Sequence, residues 1–252
     1  DTPNSGAFFV GARNKGLLPP LTPRGTPVGG GSRSAIRLSL CENLHSPPCV
    51  GFKLLLRLVS VAQANGMGGL NSNTLLMGWP SEQEGLERAL RSLRSFSQLG
   101  KSLIIGQIDQ EPLPMASRDR EIQIWWGGLQ RNGDLMLLLA YLLSCNVEWL
   151  GAQLVVTSLA SSDLMRERTQ NHLNELLPEL RIKARTEVLI KPEDMTVREM
   201  ISTQSQDADV TFLGLPVPKV GGEAEAAQRM ADMAEGLSTV FFVNNSSPFG
   251  GE

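Results

Sequence analysis

The sequence predicts an α/β fold, mainly parallel sheets flanked by helices, and three observations carry that reading. Apolar runs of strand length recur along the chain after residue 51. Amphipathic stretches of helical period fall between them. The runs are continuous rather than alternating, as in strands buried on both faces of a parallel sheet.

The elements follow in order. Residues 1–50 carry PP, TPRGTP, GGGS and SPP, seven of the 15 prolines, and only short apolar patches such as Phe8-Phe9-Val10. Such punctuation predicts a Pro/Gly-rich, mostly unstructured or divergent segment. Residues 52–64 (FKLLLRLVSVAQA) have helical texture and stop at Asn65-Gly66. Residues 73–78 (NTLLMG) read as a buried strand. A helix then opens at Ser81, where Ser81 and Glu84 have capping-box spacing and Leu86, Leu90 and Leu93 share a face. Strands are expected at 101–108 and 121–126, and a helix over 134–143 (DLMLLLAYLL), apolar nearly all round and so expected to be buried.

The C-terminal hundred residues repeat this grammar. Strands are expected at 152–158, 186–190, 209–214 and 239–243, with helices at 163–177, 194–204 and 223–236. The first of these helices is capped by Ser162 or Asp163, and the last places Ala226, Ala227, Met230 and Ala234 on one stripe. This arrangement predicts two similar subdomains, 51–147 and 148–246, followed by a short tail, 247–252. In such sheets ligands bind at the edge where strand ends converge.

Composition removes several function classes. With 23 Lys/Arg against 26 Asp/Glu, the chain has a formal net charge of -3 and lacks the basic field that nucleic acid or anionic lipid requires. The balance is uneven, since residues 1–50 hold five Lys/Arg against two Asp/Glu. The longest apolar run, Leu135 to Leu143, is nine residues, less than half of the roughly 20 a spanning helix needs, so no membrane insertion is expected. Three cysteines, Cys41, Cys49 and Cys145, do not make a disulfide scaffold.

Sites for chemistry are few. Gly66-Met67-Gly68-Gly69 follows a helix and precedes a strand, the reverse of the order a dinucleotide loop needs. Trp126-Gly127-Gly128 has the right order, ending a strand shortly before a helix, so Gly127 and Gly128 are the candidate nucleotide-binding residues; the same turn also serves simply to reverse the chain. The 214–222 loop (GLPVPKVGG) offers Lys219, but its prolines lack donors and Glu223 and Glu225 at the next helix start repel phosphate. Cys41, His45 and Cys49 lack a fourth zinc ligand nearby. His172 sits in a polar helix, and Asp109, Glu111, Asp207 and Asp209 stand at strand ends, where carboxylates serve turns and solvation. No G-x-S-x-G or H-E-x-x-H is present, so no catalytic or metal residue is assigned and no enzyme is expected. Trp79, Trp125 and Trp126 stand at strand ends, where burial makes them core and exposure would make them interface anchors; at least one of Trp125 and Trp126 should be buried.

The stretches GMGGLNSNTLLMGWP (66–80), IQIWWGG (122–128), DLMLLLAYLL (134–143) and EWLGAQLVVTSL (148–159) together resemble the C-terminal cytosolic domain of cation-chloride cotransporters. That resemblance implies two universal-stress-protein-like subdomains, a homodimer, and a parent whose membrane domain carries the ion path; no transport residue falls in this chain. It implies a cytoplasmic location beneath the plasma membrane and a regulatory role without catalysis. Some members bind adenine nucleotide here, though no cofactor is required. Residues 1–50 depart from the pattern: either they are a divergent linker or the first subdomain has lost its opening elements, leaving a sheet edge to be covered by another segment. The alternative reading is a free-standing stress-protein-like nucleotide-binding module.

Overall fold

The computed structural model describes residues 7–10, 73–109, 120–127 and 132–246. The expected helix at 52–64, the Gly66–Gly69 turn, Cys41, His45, Cys49, Glu111, Gly128 and the 247–252 tail lie outside the described residues. In chain order the elements are β1 (Ala7–Val10), β2 (Thr74–Gly78), α1 (Gln83–Gln98), β3 (Ser102–Gln107), β4 (Glu121–Trp126), α2 (Asn132–Ser144), a 3₁₀ turn (Val147–Trp149), β5 (Gln153–Ala160), α3 (Asp163–Glu179), β6 (Arg185–Ile190), α4 (Val197–Gln204), β7 (Val210–Gly214), α5 (Glu223–Ala234) and β8 (Val240–Asn244).

The described strands form one sheet in the order β1-β2-β3-β8-β7-β4-β5-β6. Every neighbouring pair is parallel except β3 and β8, which run antiparallel. The α/β class read from the continuous apolar runs is therefore the observed one. β1, which contains the Phe8-Phe9-Val10 patch, lies parallel beside β2, so a piece of the Pro/Gly-rich segment covers the edge that would otherwise stand open.

The division expected at residue 147 does not separate two sheets. The chain runs from β4 outward to β5 and β6, then back past β4 to β7 and β8, so β4 and α2 build on strands from beyond that boundary. The internal similarity lies elsewhere, between β2-α1-β3 and β7-α5-β8. Both first strands end in Gly-x-Pro (Gly78-Trp79-Pro80 and Gly214-Leu215-Pro216), and both helices stop at a glycine with positive φ, Gly100 and Gly236. The N–H of Trp79 donates to Gly106 O at 2.8 Å, and that of Leu215 to Val243 O at 2.7 Å. With Gly106 thus equivalent to Val243, the antiparallel register is self-consistent: Ile105 pairs with Phe242, and the flanking pairs Gly106·Phe241 and Ile104·Val243 exchange. A local two-fold axis passes between Ile105 and Phe242.

Each face of the sheet carries its own core. On one, Leu86, Leu90, Leu93 and Phe96 of α1 meet Ala226, Ala227, Met230 and Ala234 of α5 over Leu75, Ile105, Leu213 and Phe242. On the other, Met136, Leu137 and Ala140 of α2 and Leu173 and Leu177 of α3 cover Ile122, Ile124, Val156 and Phe212. Burying each Leu or Ile in full contributes roughly 1.5–3 kcal/mol. The predicted stripes of α1 and α5 are thus the buried ones.

Two local expectations are corrected. The N-cap of α1 is Glu82, whose side chain makes no capping bond, so Ser81 and Glu84 do not form a box; Pro80 packs against Gly85 and sets the entry of the helix one residue late. A capping box forms instead at α4, where Thr196 accepts from the N–H of Glu199 and Glu199 accepts from that of Thr196. α2 is the second correction. It buries Met136, Leu137 and Ala140 but leaves Leu138, Tyr141 and Leu142 exposed, because only one of its sides faces the sheet. Ser162 caps α3 as expected, accepting from Met165 N–H at 3.3 Å.

Candidate functional site

β4 is flanked by β5 on one side and β7 on the other; β4 crosses over to β5, whereas β7 crosses over the opposite way to β8. The C-terminal end of β4 is a topological switch point, where α/β sheets open a crevice. Trp126 ends the strand and Gly127 follows, exposed, with no atom of the described residues within 4 Å of where a Cβ would stand. α2 opens at Asn132, its N-terminus on the same edge. Gly127 therefore sits where the sequence reading placed it, while its companion Gly128 is outside the described residues.

The walls of that crevice are more filled than the sequence suggested. Trp126 is buried against α2, and a Cβ at Gly133 would fall 2.3 Å from its ring, so only glycine fits the first turn there. The Trp126 indole lies 6.4 Å, centroid to centroid, from the exposed ring of His172 on α3. Among the described residues its Nε1–H has no hydrogen-bond partner. Trp125, on the opposite face, donates from Nε1 to Ser205 Oγ at 2.9 Å. Both indoles are core residues, and Trp79, half-buried, packs 5.7 Å from the Phe242 ring, so none of the three is an exposed anchor.

At the start of α2 an amide ladder ties three segments together. Asn132 donates through Nδ2 to Leu215 O at 3.4 Å and accepts from Asn245 N–H at 2.8 Å, while Asn244 Nδ2 donates to Leu215 O at 2.8 Å. Ser246 continues it, its hydroxyl donating to Asn244 Oδ1 at 2.7 Å and its N–H to Ser102 Oγ at 3.2 Å. Asn244, Asn245 and Ser102 were not picked out from sequence. The cluster Asn244-Asn245-Ser246 at the end of the last strand was the available signal, since short polar side chains there satisfy backbone groups at the sheet edge.

The second strand-to-helix loop on this edge, 215–222, is closed by charge. Glu223, buried in the first turn of α5, forms an ion pair with Arg94 of α1, and Arg94 also donates to Pro218 O at 3.4 Å. The positive end of α5 is thus occupied by the protein's own carboxylate. Glu225 pairs outward with Arg229 at 2.5 Å. The sequence had marked both acids as hostile to phosphate. It did not connect Arg94, 129 residues distant, with Glu223.

At the opposite edge the carboxylates hold strands together. Asp209 accepts from the N–H of Glu121 at 2.9 Å and its own N–H donates to Glu121 O at 3.0 Å, clasping β7 to β4. Burial raises the pKa of Glu121 above the ordinary carboxylate value; Arg185, 3.6 Å away, works against it, and Glu187, Asp207 and Asp209 add to it. The N–H of Asp109 donates to Thr239 Oγ1 at 3.2 Å. An open cleft of about 620 Å³ between the end of α3 and the starts of β5 and β6 contains no acid, histidine or cysteine among its lining residues. Among the described residues no three His, Cys, Asp or Glu side chains could share a metal ion, and no helix is long and apolar enough to cross a membrane.

No protein-family model matches the chain. Over 151 residues, 58% of its length, it is 25% identical to potassium/chloride cotransporter 3 of Caenorhabditis elegans. The chain is similar to cation-chloride cotransporters. It spans 14% of the length of that relative. Its fold is that of the crystal structure of the cytoplasmic domain of a prokaryotic cation chloride cotransporter, with a TM-score of 0.55 at 19% identity, covering 78% of this chain and 71% of that one. A universal stress protein from Archaeoglobus fulgidus DSM 4304 aligns at a TM-score of 0.48 and 11% identity, over 75% of this chain and 64% of that one. The resemblance read from GMGGLNSNTLLMGWP and the stretches after it thus recurs in a 151-residue sequence match to a cotransporter, and the fold alone recurs in a cotransporter cytoplasmic domain.

Proposed function

We propose that this chain is the cytosolic regulatory and dimerisation domain of a chloride-coupled cation symporter, without a transport path or a catalytic role of its own. The observation that carries the reading is the 151-residue sequence match to a potassium/chloride cotransporter; the shared fold with a cotransporter cytoplasmic domain supports it. The domain lies on the cytoplasmic side of the plasma membrane and acts mechanically. Two copies pack together, and differential contacts between them and the membrane domain bias the transport states, the minimum that coupling between distant parts requires. Reading the gene upstream of Asp1 tests this. Several apolar segments of about 20 residues each are expected there, and their absence would remove the transporter reading.

A second reading, adenine nucleotide at the switch point, is favoured by Gly127, which is exposed at the end of β4 and, among the described residues, has no atom within 4 Å of where its Cβ would stand. Gly127 and Gly128 would admit the phosphates, with no other ligand assigned. Calorimetric titration with ATP tests it: heat saturating at millimolar ligand or below supports the site, and a flat titration excludes it.

A further inference from the structure

We propose that the outward side of α2, with the 3₁₀ turn after it, is the surface on which a second copy of this chain docks. The inference rests on the dimerisation reading above and gives it a place. α2 has two apolar stripes. One, Met136, Leu137 and Ala140, is buried in the sheet core. The other, Leu138, Tyr141, Leu142 and Cys145, follows i, i+3, i+4, i+7 and stands in solvent: Leu138 is 51% exposed, Tyr141 43% and Leu142 57%. Val147, 85% exposed, and Leu150, 76%, extend it past the end of the helix. A helix apolar on all sides is otherwise found only in interiors.

The occupant follows from charge and area. From Leu135 to Val147 there is no charged side chain, and Glu148 is the one charge before Leu150, so the helical part of the strip offers nothing to pair with a charged partner. It also lacks the Lys and Arg flank with which interfacial helices hold a lipid surface. An equally uncharged apolar strip is the matching surface, and this chain carries one. Taking roughly 150 Å² for a large apolar side chain in the open, the five residues offer on the order of 450 Å² of apolar surface. That is a little over half of the roughly 800 Å² per partner in a standard interface, about the apolar share such interfaces have. Asp134, Asn146 and Glu148 supply a polar rim.

The stripe is also self-complementary. Two α2 helices set antiparallel about a two-fold axis between Tyr141 and Leu142 place Tyr141 on Leu142 of the second copy and Leu138 on its Cys145, the isologous geometry of a symmetric dimer.

The test uses the full 252-residue chain with Cys41→Ser and Cys49→Ser, leaving Cys145 as its one thiol. Adding Leu138→Cys should produce a covalent dimer on mild oxidation, at least tenfold more than with Cys145 alone or with Leu138→Cys combined with Cys145→Ser. Leu142→Glu, at an exposed position that leaves the far-ultraviolet circular dichroism unchanged, should weaken the dimer at least tenfold by sedimentation. A wild-type dimer whose mass survives Leu142→Glu, with no specific cross-link, overturns this surface and leaves the dimerisation reading standing. A wild-type chain that is monomeric by light scattering at tens of micromolar overturns both.

Discussion

Two strand–helix–strand units meet across β3 and β8, and they fill the space between them differently. Their backbones agree in the Gly-x-Pro strand end, the bond from the following N–H to the neighbouring strand, and the glycine stop of the helix. Their side chains do not. One symmetry-equivalent pair is Gly106 with Phe241, the other Ile104 with Val243. α1 brings Leu86, Leu90, Leu93 and Phe96 to the shared core, whereas α5 brings mostly alanines. The backbone turns are kept in each unit separately, while volume is balanced only across the axis: a large side chain on one side stands against a small one on the other, as close packing demands. The connecting loops diverge further. The four residues of 79–82 suffice in one unit, but 215–222 runs longer and is fastened by Glu223 and Arg94.

The largest effect should come from the axis itself. Phe242 is fully buried against Ile105 and Trp79 and touches both units, so Phe242→Ala should cost about 3–5 kcal/mol in urea unfolding. A loss under 1 kcal/mol would mean that the two units do not share a core. Next is the uneven pair. A Cβ at Gly106 would lie 2.6 Å from the Phe241 ring, so Gly106→Val should cost about 1–3 kcal/mol. With Phe241→Ile added, the branched pair of the other side is rebuilt, and the double variant should lose less than the sum of the two single changes. Strict additivity would show that the two positions do not trade volume.

The loop fastening comes third. Glu223 is buried, but a quarter of the Arg94 side chain is exposed, so water softens the loss when the pair is broken. Glu223→Gln should therefore cost about 1–2 kcal/mol. It should also raise amide exchange in 215–222 while 79–82 stays unchanged, because only the longer loop depends on the pair. Equal exchange in the two loops would remove this role for the pair.

These contrasts mark how far the sequence was readable. The strands were legible because both faces of the sheet are covered, so Leu103, Ile104 and Ile105 or Ile124, Trp125 and Trp126 sit in continuous apolar runs. The stripes of α1 and α5 were legible from period alone. The pairing of β3 with β8 was not, since nothing local in Leu103–Gln107 marks it as antiparallel to a strand some 140 residues on. The same distance hid Arg94 from Glu223 and Asn132 from Asn245. At the switch point, strand-then-glycine order picked out Gly127, which stands exposed at the end of β4, while the amide ladder at the start of α2 depends on three segments meeting. α2 misled for a different reason: a helix apolar all round implies burial, and only one of its sides lies on the sheet.

The smallest contrast is between two helix starts with the same spacing. Ser81 and Glu84 have it in the first unit but do not cap α1; Thr196 and Glu199 have it ahead of the second unit and do cap α4. Thr196→Ala should cost about 1 kcal/mol, and Ser81→Ala should stay within about 0.5 kcal/mol of wild type. The bonds from Thr196 hold the carboxyl of Glu199 below its ordinary value of 4.5, so the folded state favours the ionised form. The stability this adds is present at neutral pH and is lost as pH falls below 4.5 through the folded-state value. Between pH 7 and pH 3 the gap between wild type and Thr196→Ala should narrow, while Ser81→Ala tracks wild type throughout. A Ser81→Ala loss equal to that of Thr196→Ala would show that spacing alone makes the cap, and that the one-residue shift imposed by Pro80 is immaterial.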